Sequence, residues 1–287
     1  MTTMTHESLR LAVEYTAQTT GFSPRLIEKD YYCSLVLKHL SQSESLRNHL
    51  IFKGGTLLAK GLLGFFRLSE DLDFSVSNDF CESRNQRRQL ADAIKISLGE
   101  LLTSLGFHEV SPLRGFNESR QYNGVFGYTS TIGTPDTIKF EVGFRGDLMV
   151  PPADTPLATL LADPFSRAPA INPIICKTLA PNEAYAEKAR AALSRRTPAI
   201  RDLFDLAQIA ATCFSLDDKE FVALVCRKLE ADNSASCNTS TEKRSLLLKS
   251  VETELAPVLK IKQEFDFDDA WKILENLAQL VTTARNG

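Results

Sequence analysis

Two aspartates, Asp71 and Asp73, stand two residues apart in the string Arg67-x-Ser69-x-Asp71-x-Asp73. Leu72, Phe74 and Val76 alternate with them, so the segment reads as a strand with Asp71, Asp73 and Ser75 on one face. The strand rise separates the two aspartate Cα atoms by about 6–7 Å, so both carboxylates can reach one cation. Magnesium suits such a pair: it takes one or two carboxylates, keeps waters and completes its shell with substrate phosphate oxygens. Upstream, the apolar run ending at Lys53 meets Gly54-Gly55-Thr56, a turn that a side chain would hinder. Bare N–H groups there, ahead of a helix, suit a phosphate. Thr56 is expected to be the N-cap of the helix LLAKGLLGFF. A lone D-x-D is often two solvated acids, and Gly-Gly is common in turns. At this spacing the two together point to a site for metal and phosphate.

The elements that must position these residues follow from periodicity and caps. Residues 7–18 read as a helix, and Ser23-Pro24 caps a second one beginning PRLIEKDYY, whose Glu28, Lys29 and Asp30 are expected to form an exposed charged turn. A short helical piece near 43–49 precedes the strand that ends at Lys53. After the aspartates comes a long helix from Glu82, with Arg84, Arg87 and Arg88 near its start. Residues 107–112, 123–132 and 137–144 read as strands. In the last, Glu141 is either a third acid beside the aspartates or a cross-strand partner of Lys139 or Arg145. Residues 151–169 hold five of the twelve prolines and mark the expected boundary between a sheet domain, 1–150, and a helical domain, 151–287.

The second half begins with an apolar piece, INPIICKTL, and the helix PNEAYAEKARAALSRR. Residues 177–201 carry Lys177, Lys188, Arg190, Arg195, Arg196 and Arg201 against Glu183 and Glu187, the one strongly basic stretch. Thr197-Pro198 is expected to open the next helix, with Asp202 and Asp205 on one face. Helical stretches near 217–230, 241–255 and 266–285 follow, and the polar segment Ala231 to Thr241 reads as a mobile loop.

Composition excludes several classes. At 287 residues and 43% hydrophobic content the chain can bury a real core. No apolar run approaches the roughly 20 residues that cross a bilayer, and no secretory signal is present, so no membrane association and a cytoplasmic location are expected. The six cysteines form no C-x-x-C pair and read as buried free thiols, Cys213 in AATCF included; the four histidines lack metal-ligand spacing. Residues 1–201 carry 23 Lys+Arg against 21 Asp+Glu, and 202–287 carry 10 against 15, so only a local basic face is available to a nucleic acid.

Taken in order, Ile27-Glu28-Lys29-Asp30, Gly54-Gly55-Thr56, Arg67-x-Ser69-x-Asp71-x-Asp73, Ala186-Glu187-Lys188 and Arg201-Asp202-x-x-Asp205 resemble one family. The chain looks like the AbiEii-type nucleotidyltransferase toxins, MenT toxins among them, of the DNA polymerase β-like superfamily. The resemblance runs from about residue 27 to 206. It implies an α+β fold, a polymerase β-like mixed sheet followed by a helical C-terminal domain, with the active site in the cleft between them. It implies transfer of a nucleoside monophosphate from an NTP to an acceptor hydroxyl, which in some relatives is the 3′ end of tRNA, by the toxin of a toxin–antitoxin or phage-defence pair. Asp71 and Asp73 match the metal pair for Mg²⁺ or Mn²⁺, and Glu141 is a candidate third ligand that requires its strand to be in register with them. Gly54, Gly55 and Thr56, with Arg67 and Ser69, match the nucleotide-binding segment. Lys188 and Asp202 match the remaining catalytic residues, and Ser69 a serine that carries a regulatory phosphate in some relatives. Other readings are a small-molecule or protein hydroxyl as acceptor, or a non-catalytic nucleotide- or RNA-binding module.

Overall fold

The computed structural model describes residues 4–76, 83–116, 120–144, 148–232 and 237–286. Cys81, Glu82, Arg145 and the middle of the expected 231–241 loop lie outside the described residues. The chain forms two compact units, Met1–Leu148 with Pro152–Leu179, and Met149–Pro151 with Ala180–Gly287. The changeover therefore falls at Leu179/Ala180, later than the proline-rich stretch suggests. The reason is that Ala153–Leu157 and Ile174–Thr178 are strands of the first unit's sheet.

The first unit opens with α1 (His6–Thr20), α2 (Pro24–Gln42) and α3 (Glu44–Arg47). Ser23 caps α2, with Pro24 in its first turn. The strands are β1 (Leu50–Lys53), β2 (Asp71–Val76), β3 (His108–Phe116), β4 (Gln121–Thr129), β5 (Pro135–Gly143), β6 (Ala153–Leu157) and β7 (Ile174–Thr178). They form one sheet in the order β3-β4-β5-β2-β1-β7-β6. β2 runs parallel to β5 and β1 parallel to β7, while the other pairs are antiparallel, so the sheet is mixed. Helix α5 (Arg84–Ser104), opened by a capping box of Ser83 and Gln86, buries Ala91, Ile94, Leu98 and Leu102 at helical spacing. Its Lys95 ammonium lies 4.5 Å from the centre of the Tyr122 ring, so α5 packs on the face shared by Tyr122, Val142 and Phe74. Asp71 and Asp73 have the opposite parity on β2 and lie on the other face.

The charged start of α2 is not exposed: Glu28, Lys29 and Asp30 are all buried. Each reaches a residue far away in sequence. Glu28 accepts hydrogen bonds from the Thr131 amide (2.7 Å) and hydroxyl (3.0 Å). Lys29 bridges Glu70 (3.1 Å) and Asp136 (3.0 Å), which Arg25 contacts from the outside. Asp30 holds Lys60 at 2.6 Å, and Lys60 also donates to Ser34 Oγ at 2.8 Å. Buried charges persist only when paired, so α2 is fastened to the segment that carries Ser69 and Asp71.

The second unit consists of α6 (Pro181–Ser194), α7 (Ile200–Ala210), α8 (Lys219–Ala231), α9 (Thr241–Lys249) and α10 (Phe267–Asn286), with a π-helical turn at Val251–Leu255. Helix α7 begins at Ile200 behind Ala199, so Thr197 is not its cap. Leu193, Leu203, Leu206, Val225, Leu274 and Val281 are core residues. Lys243 is buried and donates to carbonyls at the C-terminus of α6, including that of Leu193 (3.3 Å), and to Asn238 O (2.8 Å). Burial brings its pKa down to about 8. Among the described cysteines none is in a disulfide; Cys33, Cys176 and Cys226 are buried as expected, but Cys213 is exposed, because it follows the end of α7. No described helix is long and apolar enough to cross a membrane.

Candidate active site

Strand β1 leads directly into α4 (Gly54–Leu57), which passes into a π-helical turn at Leu58–Leu62. Gly54 has φ +82°, and a Cβ on it would lie 2.2 Å from Asp73 Oδ2. Only glycine lets the turn approach Asp73 this closely. A Cβ on Gly55 would meet the Arg67 guanidinium at 2.5 Å and Ser69 Oγ at 3.2 Å. The first-turn amides of α4 have no partners within the helix, an arrangement that suits an anion.

Two expectations change here. Helix α4 starts at Gly54, so Thr56 is inside it and not its cap. The Thr56 side chain is 2% exposed and its hydroxyl donates to the Asp71 carbonyl at 2.6 Å. That proton is spent on fixing β2 against the turn, leaving Thr56 only its backbone amide for a phosphate. Arg67 is likewise 2% exposed, donates to Leu68 O at 3.0 Å and lies under Gly55. Its position is that of a support beneath the turn.

The register across the sheet brings the acids together. Lys53 on β1 is directly opposite Asp73 on β2, and Asp73 is directly beside Glu141 on β5. Glu141 therefore shares the aspartate face, and its neighbour along β2 is Asp73; Lys139 is paired with Asp71 instead. Asp71, Asp73 and Glu141 are all partly exposed. Among the described residues no group of three or more such side chains is close enough to make a closed metal cage. The donor set still fits a hard cation of the magnesium type, which needs only one or two carboxylates and takes its other oxygens from substrate and water. Neither Asp71 nor Glu141 has an ion-pair partner among the described residues.

Lys53 went unnoticed in the sequence. A Cβ on Gly143 would lie 3.7 Å from Lys53 Nζ, so this ammonium crosses β2 to the level of Ser75 and Gly143. Its place at the end of the strand, just before the glycines, was visible; the face it occupies required the β1–β2 register.

In the second unit, Lys188 on α6 contacts Asp202 Oδ1 at 3.1 Å and Asp205 Oδ2 at 2.9 Å, both on α7. Asp202 Oδ2 also holds Arg195 at 2.6 Å. Both aspartates are buried, so Lys188 is fixed by two carboxylates and Asp202 bridges two cations. The basic stretch is weaker than its composition suggests: Lys188, Arg195 and Arg190 (to Asp232, 2.7 Å) are ion-paired, and Lys177 belongs to β7 of the first unit.

A mixed sheet that sets a carboxylate pair beside a Gly-Gly turn has the form of a nucleotidyltransferase. Residues 36–279 match the family model described as nucleotidyl transferase AbiEii toxin, type IV toxin–antitoxin system. The chain belongs to the AbiEii nucleotidyltransferase toxin family. Among solved structures it is similar to MenT4, a nucleotidyltransferase toxin from Mycobacterium tuberculosis H37Rv, with TM-score 0.62 and 21% identity over 98% of this chain and 90% of that one. It is also similar to JHP933 from Helicobacter pylori, with TM-score 0.52 and 16% identity over 91% of this chain and 94% of that one. At these identities the likeness establishes the fold alone. No curated protein matches the chain.

Proposed function

We propose that the protein transfers a nucleoside monophosphate from an NTP to the 3′ hydroxyl of tRNA, with Mg²⁺ or Mn²⁺, as the toxin partner of an antitoxin in the cytoplasm. The observation that carries this reading is the register placing Glu141 beside Asp73, on the face that carries Asp71 and adjoins the Gly54-Gly55 turn. Asp71 and Asp73, with Glu141 beside them, would supply the one or two carboxylates for the divalent cation, which when bound offsets charge on the phosphoryl group and aligns the reacting oxygens. The amides of Gly54, Gly55 and Thr56 would hold the β- and γ-phosphates. Arg67 supports that turn from below. The acceptor oxygen forms a bond to the α-phosphorus while the bond to the β-phosphate oxygen breaks, releasing pyrophosphate. From the second unit, Lys188 would neutralise triphosphate charge as a point cation. Asp202 and Asp205 fix its position, which favours an orienting role for Asp202 over contact with the acceptor hydroxyl. A phosphate on Ser69, beside Gly55, would repel the substrate and silence the site.

The test is incubation with Mg²⁺, each labelled NTP in turn and total cellular RNA. Label should appear on a discrete RNA of tRNA size, and Asp71→Ala should reduce it by about 10²-fold or more. Near-normal transfer by Asp71→Ala would sink the site assignment. The pairing of three basic residues in 177–201 favours one rival, an acceptor hydroxyl on a small molecule or protein. Under that reading RNA binding is weak, its salt response is flat, and label leaves the RNA fraction.

A further inference from the structure

The acid-bearing sheet face does not stop at Glu141. Registers continue from Glu141 to Asn123 on β4 and from Asn123 to Arg114 on β3. In the adjacent row Ser75 leads to Gly143, then Gln121, then Phe116. Directly opposed residues share a face, so Asn123, Gln121, Arg114 and Phe116 line the same side of the sheet as Asp73. Helix α5 packs on the reverse side, through Lys95 and Tyr122. Three strand spacings separate β2 from β3, about 14 Å. Along that path Gln121 Nε2 donates to Asn123 Oδ1 at 3.2 Å, and Asn123 and Arg114 are exposed. Phe116 leaves half of its surface in water. Among the described residues neither Lys53 nor Arg114 has an ion-pair partner.

We propose that this face, from Lys53 over Gly143 outward through Gln121 and Asn123 to Arg114 and Phe116, is the track on which the 3′-terminal single strand of the acceptor RNA lies. The inference rests on the RNA-acceptor reading above and assigns it a binding surface. In-line displacement puts the attacking oxygen and the leaving pyrophosphate on opposite sides of the α-phosphorus. The Gly54-Gly55 turn takes the leaving side. Lys53 Nζ reaches the other end of the acids, at Ser75 and Gly143, where it meets the acceptor's terminal phosphodiester. Beyond it the face supplies the three contacts that a single strand uses: amides for base edges, a cation for the backbone, and a ring for stacking. A protein partner is less suited, because its hot spots need a contiguous apolar centre, and this row has one ring among polar groups.

The experiment uses the full chain with tRNA and with a short single-stranded RNA bearing a free 3′ hydroxyl. Binding is titrated against salt without divalent metal, alongside labelled transfer and protection of the fold by NTP. Phe116→Ala should weaken RNA binding roughly 5- to 100-fold, and Phe116→Trp should restore it. Arg114→Gln should lower the salt slope by about one. Neither variant should alter melting temperature or NTP protection, and Arg88→Ala, on α5, should bind as wild type. If wild type labels RNA while Phe116→Ala and Arg114→Gln bind and label it equally well, the track is wrong and the proposed function stands. If wild type labels a protein or small molecule and no RNA, both fall together.

Discussion

In the first unit three cations are tied into the frame, while two acids of the candidate site stand without ion-pair partners among the described residues. Arg25 and Lys29 are committed to Glu70 and Asp136, and Lys60 to Asp30, while Asp71 and Glu141 have no such partner among the described residues. The second unit is arranged the other way. Its Lys188, the proposed site cation, is held by two buried aspartates, and one of these holds Arg195 as well. The sheet face thus keeps two carboxylates, Asp71 and Glu141, open to an incoming cation. The helical unit keeps a lysine whose position is set before any nucleotide arrives. Pre-formed geometry lowers the reorganisation needed at reaction, at the expense of some of the lysine's free charge.

This contrast separates stability from activity, and it can be broken by mutation. The largest effect should come from Lys60→Met, which leaves the Asp30 carboxylate buried without its ion-pair partner; one of its oxygens, Oδ2, has no hydrogen-bond partner among the described residues. Loss of about 3–5 kcal/mol in thermal or denaturant unfolding is expected. Asp71→Asn should do the reverse, removing transfer while leaving stability within about 0.5 kcal/mol, because Asp71 is half-buried and has no ion-pair partner among the described residues. If Asp71→Asn unfolds the protein, the distinction between frame and site is wrong.

Asp202→Asn should have an intermediate effect. It loosens Lys188 and Arg195 together, so kcat/KM for NTP should drop further than in Arg195→Ala, by roughly 10-fold. Equal losses in the two variants would mean that Asp202 acts through Arg195 and not through Lys188.

The smallest effect concerns acid. Burial pushes the Glu70 carboxyl up, but Lys29 and Arg25 outweigh it, so Glu70 titrates below its ordinary 4.5; Asp136 is likewise held below 3.8. Groups with lowered folded values stabilise above the unfolded pKa, and that stability is lost as pH falls through the folded one. Below about pH 4.5 the wild type should therefore lose stability more steeply than Glu70→Gln, as read from melting temperature against pH. Parallel curves would exclude this network as the acid-sensitive part.

Five of the seven described strands and most helices were legible because alternation, caps and prolines are local signals, and Ser23-Pro24 and Asp71–Val76 appear as read, whereas β6 was hidden in the proline-rich stretch. What failed depends on distant partners. Glu28, Lys29 and Asp30 look like a solvated helix start until Thr131, Glu70, Asp136 and Lys60 are brought to them. The alternatives for Glu141 were open because β2 and β5 are parallel across a long crossover, and periodicity carries no register. Thr56 had the right residue type for a cap, but the backbone of Asp71 takes its hydroxyl. The basic stretch is partly neutralised because Asp202, Asp205 and Asp232, which pair with it, lie downstream of residue 201.

The close passage of Gly54 over Asp73 also offers a handle for working with a member of a toxin family. Gly54→Ala would add one methyl group, at a left-handed backbone position and 2.2 Å from a carboxylate oxygen. It changes no charge and removes no buried partner, yet the turn and the aspartate can no longer keep their spacing. A host carrying that allele should tolerate expression while the protein keeps its net charge, which makes it a cleaner inactive reference than any carboxylate substitution.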